Sequence, residues 1–187
     1  MTWDELKQTC AVCSNCSLCA SRHHVVFGVG QENADILFVG EGPGEQEDLQ
    51  GEPFVGAAGK LLDDMLSIVD VSRDKNCYIA NVVKCRPPHN RDPEEEEQNA
   101  CISYLMEQIA LIKPKIIVCL GRIAAKRLIN PDFKITRQHG AWYEQDGIWY
   151  SAIYHPSALL RDPSKRPETF DDLLSLRNMI RKLKIQL

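Results

Sequence analysis

The chain has 187 residues, of which 44% are hydrophobic and 26% charged, and its formal net charge is −4. These values predict one globular domain over residues 1–187 with an ordinary apolar core, and they exclude a disordered or fibrous protein. The acidic charge argues against nucleic-acid binding by the whole surface. Residues 161–187 nevertheless carry seven basic and four acidic side chains. From charge alone, we interpret that segment as a solvated helix face.

Targeting segments are not evident. The N-terminal residues are polar, and the longest apolar stretches have the length of a strand rather than of a membrane span. We therefore expect a protein of the cytoplasm that does not enter a membrane.

Helical and strand patterns alternate along the chain. Thr2 and Glu5 have the spacing of a capping box, which predicts a short first helix. In chain order, the apolar patterns then predict a strand at 34–40, a helix at 57–69, a strand at 78–84, a helix at 93–112, a strand at 115–120, a helix at 123–129, a hairpin of strands 142–144 and 148–153 around Asp146-Gly147, and a helix at 170–183.

This alternation predicts an α/β fold, with a mostly parallel sheet between two layers of helices. Ligands of such sheets bind outside the carboxyl ends of the strands. The candidate functional loops are therefore residues 41–54, 85–91 and 155–161, each of which follows a predicted strand.

Four cysteines crowd the N-terminus: Cys10, Cys13, Cys16 and Cys19. Eight cysteines in a chain without an export signal indicate a metal or cluster site rather than disulfides. Two thiolates of the crowded group, spaced as Cys-x2-Cys, can bind one metal centre. Spacing alone leaves open whether the pair is Cys13 with Cys16, Cys10 with Cys13, or Cys16 with Cys19.

The four remaining cysteines divide into two kinds. Cys85 follows a predicted strand and Cys101 lies in the next helix, so both could converge on the N-terminal pair. Four thiolates suit a [4Fe–4S] cluster or a tetrahedral zinc ion equally well. Cys77 and Cys119 lie within or beside strands, and we interpret them as small buried apolar side chains.

Residues 40–56, GEGPGEQEDLQGEPFVG, form a loop rich in glycine and glutamate. The glycines let the backbone approach a ligand, and the carboxylates are available for acid–base chemistry. The loop has neither the Lys-Ser/Thr ending of a P-loop nor the glycine spacing of a dinucleotide site. On its own, the pattern is as compatible with a tight structural loop as with a binding site.

Four motifs in a fixed order change that interpretation: GEGPGEQED (40–48), GEPFVGAAGKLLD (51–63), NVVKCRPPHNRDP (81–93) and HPSALLR (155–161). They closely resemble the motifs of the family 4 uracil-DNA glycosylases. The Cys-x2-Cys pair ahead of VVFG (25–28) resembles that family too, so the similarity runs from about residue 13 to residue 161.

The resemblance implies a four-stranded parallel sheet between helices and a structural [4Fe–4S] cluster. Carried over by position, the cluster ligands are Cys13, Cys16, Cys85 and Cys101. The implied activity is flipping of uracil out of single- or double-stranded DNA and hydrolysis of its N-glycosidic bond, at the start of base excision repair. We expect the protein to act as a monomer.

The resemblance also implies roles for the residues that recognise the base. Phe54 would stack on the uracil ring, and Gly40 and Gly42 would bind the substrate with it. The amide of Asn81 can donate and accept at once, which matches the O4 and N3–H edge of uracil. His155 would hydrogen-bond uracil O2 and stabilise the anion that leaves.

Carboxylates and DNA contacts complete the implied site. The best-known uracil glycosylases carry an aspartate where this chain has Gly42, so Glu41 and Glu47 are the candidates for positioning water and stabilising the sugar cation. We interpret Asp48 as a salt bridge or loop cap. Ser157 could bind a phosphate, and Leu159 or Leu160 could wedge into the DNA.

Three other functions compete with this interpretation. A non-catalytic member of the superfamily would bind DNA or a partner protein, but the presence of Asn81 and His155 argues against it. A small electron carrier built around the cluster leaves the motifs of Phe54, Asn81 and His155 unexplained. A branch that bonds covalently to DNA would need an additional basic, His-bearing insertion, which the chain lacks.

Overall fold

The centre of the molecule is a mixed sheet of six strands. In the computed structural model, which describes residues 1–187, the strands are β1 (Val29–Gly30), β2 (Ile36–Gly40), β3 (Cys77–Asn81), β4 (Ile116–Leu120), β5 (Tyr143–Gln145) and β6 (Ile148–Ile153). Their spatial order is β1-β3-β2-β4-β6-β5. The four central strands are parallel, and β1 and β5 pair antiparallel at the two edges.

The prediction of a four-stranded sheet was therefore wrong in the number of strands. Its four parallel strands are present, and each edge carries one additional short strand. β5 is the first strand of the hairpin that Asp146-Gly147 predicts. β1 pairs only Val29 and Gly30 with Ile79 and Tyr78, which is too short a segment to show an alternating apolar pattern. Short edge strands of this kind protect a sheet from pairing with another chain.

Helices cover both faces of the sheet, as the predicted three-layer α/β/α architecture requires. They are α1 (Trp3–Ala11), α2 (Glu45–Gln50), α3 (Ala57–Ser67), α4 (Glu95–Ile112), α5 (Arg122–Leu128), α6 (Ile135–Gln138), α7 (Pro156–Arg161) and α8 (Arg166–Lys182). Alternate residues along each central strand enter opposite cores. In β2, Leu37 packs in the core with α1 and α4, whereas Phe38 packs in the core with α3 and α8. None of these helices has the length and apolarity needed to cross a membrane.

Capping residues define the starts of two helices, and the first of these caps is the capping box that Thr2 and Glu5 predict. The Thr2 hydroxyl accepts from the Glu5 N–H, and the Glu5 carboxylate accepts from the Thr2 N–H. Glu97 accepts from the N–H of Glu94 at 2.8 Å, at the start of α4. These caps satisfy amide groups that have no partner within the helix.

The parallel strands end at one edge of the sheet, and this edge positions the candidate site. Gly40 ends β2 and pairs with Asn81, which ends β3. Asn81 is therefore the last residue of its strand rather than an interior one. His155 follows the end of β6 by two residues. Side chains that are far apart in sequence thus meet above the sheet.

Candidate active site

A cavity of about 440 Å³, called the base pocket below, opens at the carboxyl ends of the parallel strands. This is the size of ordinary small-molecule sites and the location expected for this fold. Its lining includes seven of the residues expected at the site: Glu41, Gly42, Glu47, Phe54, Asn81, His155 and Ser157. All three loops predicted to be functional contribute, and Gly121 and Arg122 add a fourth loop, after β4.

Asn81 contributes a polar atom without a hydrogen-bond partner to the base pocket. The residue is only 2% exposed, and its Oδ1 is buried with no hydrogen-bond partner. A buried acceptor that no protein group pairs is costly unless a ligand or an ordered water supplies the donor. The amide of Asn81 is thus available to read a hydrogen-bonding edge.

Gly40 does not line the base pocket, but it makes room for two residues that do. A Cβ at Gly40 would lie 2.5 Å from Asn81 Oδ1 and 2.8 Å from Phe54 Cζ. No side chain fits there without displacing the amide or the ring. Gly42, by contrast, packs against the chain that continues β3, since its Cβ would lie 2.7 Å from Cγ2 of Val83.

Phe54 occupies a backbone conformation that bulky residues rarely adopt. Its φ is 52°, in the left-handed region, which costs on the order of 1–3 kcal/mol and persists only where the surrounding structure enforces it. The side chain is 5% exposed, and its ring centroid lies 5.5 Å from that of His155 at an interplanar angle of 33°. The two rings together form an aromatic wall of the base pocket.

His155 is held in one tautomer. Its Nδ1 accepts a hydrogen bond from the N–H of Ser157 at 3.0 Å, so the ring proton resides on Nε2. Burial, aided by the positive charge of Arg161, lowers the pKa of His155 from 6.5 to about 4. At neutral pH the imidazole is therefore uncharged, and it has one N–H left to donate.

The two glutamates occupy different positions. Glu41 follows β2 directly, whereas Glu47 lies in the first turn of α2. Burial raises the pKa of Glu41, and the nearby charge of Asp92 raises it further, against the opposing charges of Arg122 and Arg161. Glu41 is thus a stronger base than a solvated carboxylate.

Asp48 is a structural anchor, as predicted. It is 1% exposed, and its carboxylate accepts from the N–H groups of His23 and His24 and contacts His23 Nδ1 at 2.6 Å. Burial alone would raise the pKa of Asp48, but these hydrogen bonds outweigh it and lower the pKa. The residue fastens α2 to the segment that follows the N-terminal cysteines.

The helix α7 separates the two leucines that the sequence left as alternatives. Leu159 is buried, at 1% exposed, in the core, whereas Leu160 is 42% exposed. Of the two, only Leu160 is free to contact a binding partner. Arg161 and Lys165 line the base pocket beside it, and Lys165 Nζ lies 4.8 Å from the ring centroid of Tyr154.

Six of the eight cysteines surround a second, smaller cavity, called the cysteine pocket below: Cys10, Cys13, Cys16, Cys19, Cys85 and Cys101. All four expected cluster ligands are among them. Arg22 donates to the sulfur of Cys85 at 3.5 Å, and the Lys84 N–H donates to that of Cys101 at 3.3 Å. Hydrogen bonds to cysteine sulfur are typical of iron–sulfur sites, so this donor set fits a cluster by its chemistry.

The cysteine pocket is nevertheless not a ready-made site for a single metal ion. No three cysteine, histidine or acidic side chains are grouped so that they could hold a metal ion. Burial raises the pKa of Cys101 to about 11, so this thiol ionises at neutral pH only when a metal binds it. Cys77 and Cys119 lie outside the pocket and are fully buried, as predicted.

Several residues of the site escaped the sequence patterns. Arg122 and Asp92 form an ion pair at the rim of the base pocket, although 30 residues separate them. Arg73, whose guanidinium contacts the loop of Phe54, follows α3 without any recognisable motif. Asp92 lies in the motif at 81–93, but its pairing with Arg122 and the contact of Arg73 with the Phe54 loop join residues far apart in the chain, which one sequence does not reveal.

Comparison with known proteins assigns the family. The family model described as the uracil DNA glycosylase superfamily matches residues 27–176. The type-4 uracil-DNA glycosylase of Archaeoglobus fulgidus is 46% identical over 177 residues, which are 90% of this chain and 88% of the relative. The type-4 enzyme of Sulfurisphaera tokodaii is 44% identical (94% and 84% covered), and that of Thermotoga maritima is 42% identical (91% and 90%). The chain therefore belongs to the type-4 uracil-DNA glycosylases of the uracil-DNA glycosylase superfamily.

Proposed function

We propose that the chain excises uracil from DNA by flipping the nucleotide into the base pocket and hydrolysing its N-glycosidic bond. The observation that carries this proposal is the unpaired Oδ1 of Asn81, buried in a pocket that Phe54 and His155 also line. A stacked base is inaccessible to an enzyme, so such a pocket acts only on an extruded or single-stranded base. The released uracil leaves an abasic site, the starting point of base excision repair.

Base recognition falls to Asn81 and Phe54. Asn81 Oδ1 accepts from uracil N3–H, and the amide nitrogen donates to O4. Cytosine presents the opposite pattern at these two positions, so its binding would leave buried polar groups unpaired. Phe54 supplies the apolar face on which the ring stacks.

Bond cleavage places negative charge on the departing uracil and positive charge on the sugar. Neutral His155 can donate its Nε2 proton in a hydrogen bond to uracil O2, where the negative charge gathers. Since Nδ1 is already occupied by the Ser157 N–H, the ring needs no reorientation. His155 thus stabilises the anion by a hydrogen bond rather than by a full charge.

The two carboxylates act on the sugar and on the attacking water rather than on the base. Glu41 and Glu47 both line the base pocket, and their negative charges stabilise an oxocarbenium-like sugar. The raised pKa of Glu41 favours it as the base that accepts a proton from the attacking water. Glu47 then contributes mainly through its charge.

DNA binding uses the rim of the base pocket. The hydroxyl of Ser157 and the cationic groups of Arg161 and Lys165 suit phosphate oxygens. Exposed Leu160 can fill the space that the flipped nucleotide leaves. This local basic rim explains how an acidic monomer could bind DNA, single- or double-stranded, with an affinity that falls as salt rises.

We further propose that Cys13, Cys16, Cys85 and Cys101 hold a [4Fe–4S] cluster. The four thiols line one pocket, and the sulfurs of Cys85 and Cys101 accept hydrogen bonds from the protein, as the sulfurs of iron–sulfur sites do. Such a cluster would tie the N-terminal segment to the loop after β3 and to α4, a structural task. Eight free thiols also suit a reducing compartment, which supports the cytoplasm as the place of action.

The test is release of free uracil from an oligonucleotide with one deoxyuridine, measured in EDTA. We expect metal-independent release, and a loss of about 10²- to 10³-fold in His155→Ala, the effect of removing one anion-stabilising donor. His89→Ala, in an exposed histidine outside the base pocket, is the matched control. Absence of release from wild-type protein with intact cluster absorbance would reject the activity and favour a binding role.

A further inference from the structure

Arg73 lies in the connection between α3 and β3, outside the base pocket, yet its guanidinium binds the backbone of Phe54. The side chain is buried, at 8% exposed. Its Nη1 donates to the Pro53 carbonyl oxygen at 2.7 Å, and its Nη2 donates to the Phe54 carbonyl oxygen at 2.9 Å. These carbonyls belong to the two peptide units that flank the Phe54 Cα. One planar group therefore restrains both backbone dihedrals of Phe54.

The guanidinium is itself anchored to α3. Arg73 Nε and Nη2 both lie 3.0 Å from Oδ1 of Asp63, and Nη1 lies 3.6 Å from Oε1 of Glu52. The start of α3 packs against the same peptide, since a Cβ at Gly59 would overlap the Phe54 carbonyl oxygen. Arg73 thus links the loop of Phe54 to a helix that the sheet holds in place.

Phe54 needs such a restraint, because its φ of 52° is unfavourable for a phenylalanine. Strained conformations persist only where the surrounding structure determines them. If the peptides flanking Phe54 relaxed, its ring would leave its place 5.5 Å from His155. The face on which a base stacks would then no longer be fixed before binding.

We propose that Arg73 is a positioning residue for the flipped base, acting through the backbone of Phe54. The inference rests on the proposed function and deepens it, because it assigns the pre-organisation of the stacking face to a residue outside the pocket. Lysine cannot replace arginine here. A single ammonium cannot reach both carbonyls and Asp63 with the geometry of a planar fork.

A double-mutant cycle distinguishes positioning from a general structural role. Arg73→Lys, Phe54→Ala and the double variant are compared by single-turnover uracil release and by inhibition with free uracil. We expect Arg73→Lys to slow release by roughly 10- to 100-fold, the range typical of a small misplacement, and to weaken uracil inhibition similarly. The double variant should be no slower than Phe54→Ala, because no ring remains to be positioned.

The inference would be overturned if the loss of rate in the double variant equalled the product of the two single losses. It would also be overturned if Arg73→Lys slowed release but left inhibition by uracil unchanged. If Arg73→Lys does not fold, Asp63→Asn decides the question, because it removes the anchor at a half-exposed position. Asp63→Asn should slow uracil release less than Arg73→Lys does, and it should have no further effect once Phe54 is alanine. Lys115→Gln, which breaks the remote pair with Asp35, is the control and should behave as wild type. Inactive wild-type protein would instead reject the proposed function itself.

Discussion

The base pocket and the cysteine pocket are neighbours along the chain, since Asn81 and Cys85 are four residues apart. They differ in whether their polar atoms have hydrogen-bond partners within the protein. In the base pocket, Asn81 Oδ1 has no partner and Phe54 is strained. In the cysteine pocket, the sulfurs of Cys85 and Cys101 already accept hydrogen bonds from the protein. The difference agrees with the two proposed roles: a base that enters and leaves one pocket, and a cluster that would stay in the other.

The comparison predicts that damage to the cysteine pocket removes cofactor and stability together. Cys85→Ala should lose the brown absorbance of a cluster entirely and lower the free energy of unfolding by on the order of 4 kcal/mol or more, as loss of a structural metal does. Cys77→Ala, which alters an equally buried thiol outside the pocket, should keep the absorbance and cost about 1 kcal/mol. Iron content and thermal melting measure both. A clusterless variant of normal stability would contradict a structural role.

A substitution that disturbs the base pocket should lower activity strongly while changing stability little. In Gly40→Ala the new methyl group would displace Asn81 Oδ1 and the Phe54 ring, so we expect uracil release to fall about 100-fold. Overpacking should cost only about 1–3 kcal/mol of stability. Gly56→Ala is the matched control, because its Cβ would meet nothing closer than 3.9 Å. Equal rates for the two variants would show that Gly40 does not shape the site.

The pH dependence of stability and of uracil release tests whether His155 acts as a neutral ring. The folded pKa is about 4 against 6.5 in the unfolded chain. Its contribution to stability is therefore fully present above pH 6.5 and is lost as the pH falls from 6.5 toward 4. Release that uses the neutral ring should stay level from about pH 7 to about pH 5 and decline below that. NMR titration of the ring, assigned with His155→Gln, checks this, and a measured pKa above 6 would contradict it.

The smallest effect on uracil release is expected from Leu160, at the rim of the base pocket. Leu160→Ala should slow release from duplex DNA by about tenfold or less, the equivalent of the roughly 1.5 kcal/mol gained on burying a leucine side chain. Release from single strands should be unaffected, since no base stack has to be filled. Leu159→Ala should instead destabilise the fold by about 2–5 kcal/mol. Equal losses on both substrates would exclude a wedge.

Sequence patterns predicted the parts of the molecule that periodicity or turn chemistry specifies. Buried apolar runs located β2 and β4, and Asp146-Gly147 located the hairpin. The loop over residues 41–54 contains α2, which was not predicted because its residues are polar and its N-cap is a glycine. β1 is too short to produce a pattern.

The candidate site was predictable only as far as its motifs extend. The motif residues meet in one pocket, and three strand-end loops could be foreseen from the parallel topology. The contact of Arg73 with Phe54 could not, because a side chain that binds backbone carbonyls 19 and 20 residues away leaves no pattern in a single sequence. The exposure of Leu160 and the burial of Leu159 likewise depend on how α7 packs.

In the proposed mechanism the buried amide of Asn81 reads uracil, while the cysteine pocket supports the fold. The most direct measurement is single-turnover uracil release by Asn81→Ala, with cluster absorbance and melting temperature taken on the same preparation. We predict a loss of about 100-fold or more in release, with absorbance and melting close to wild type. Release at the wild-type rate, or activity lost only together with the cluster, would show that Asn81 does not read the base.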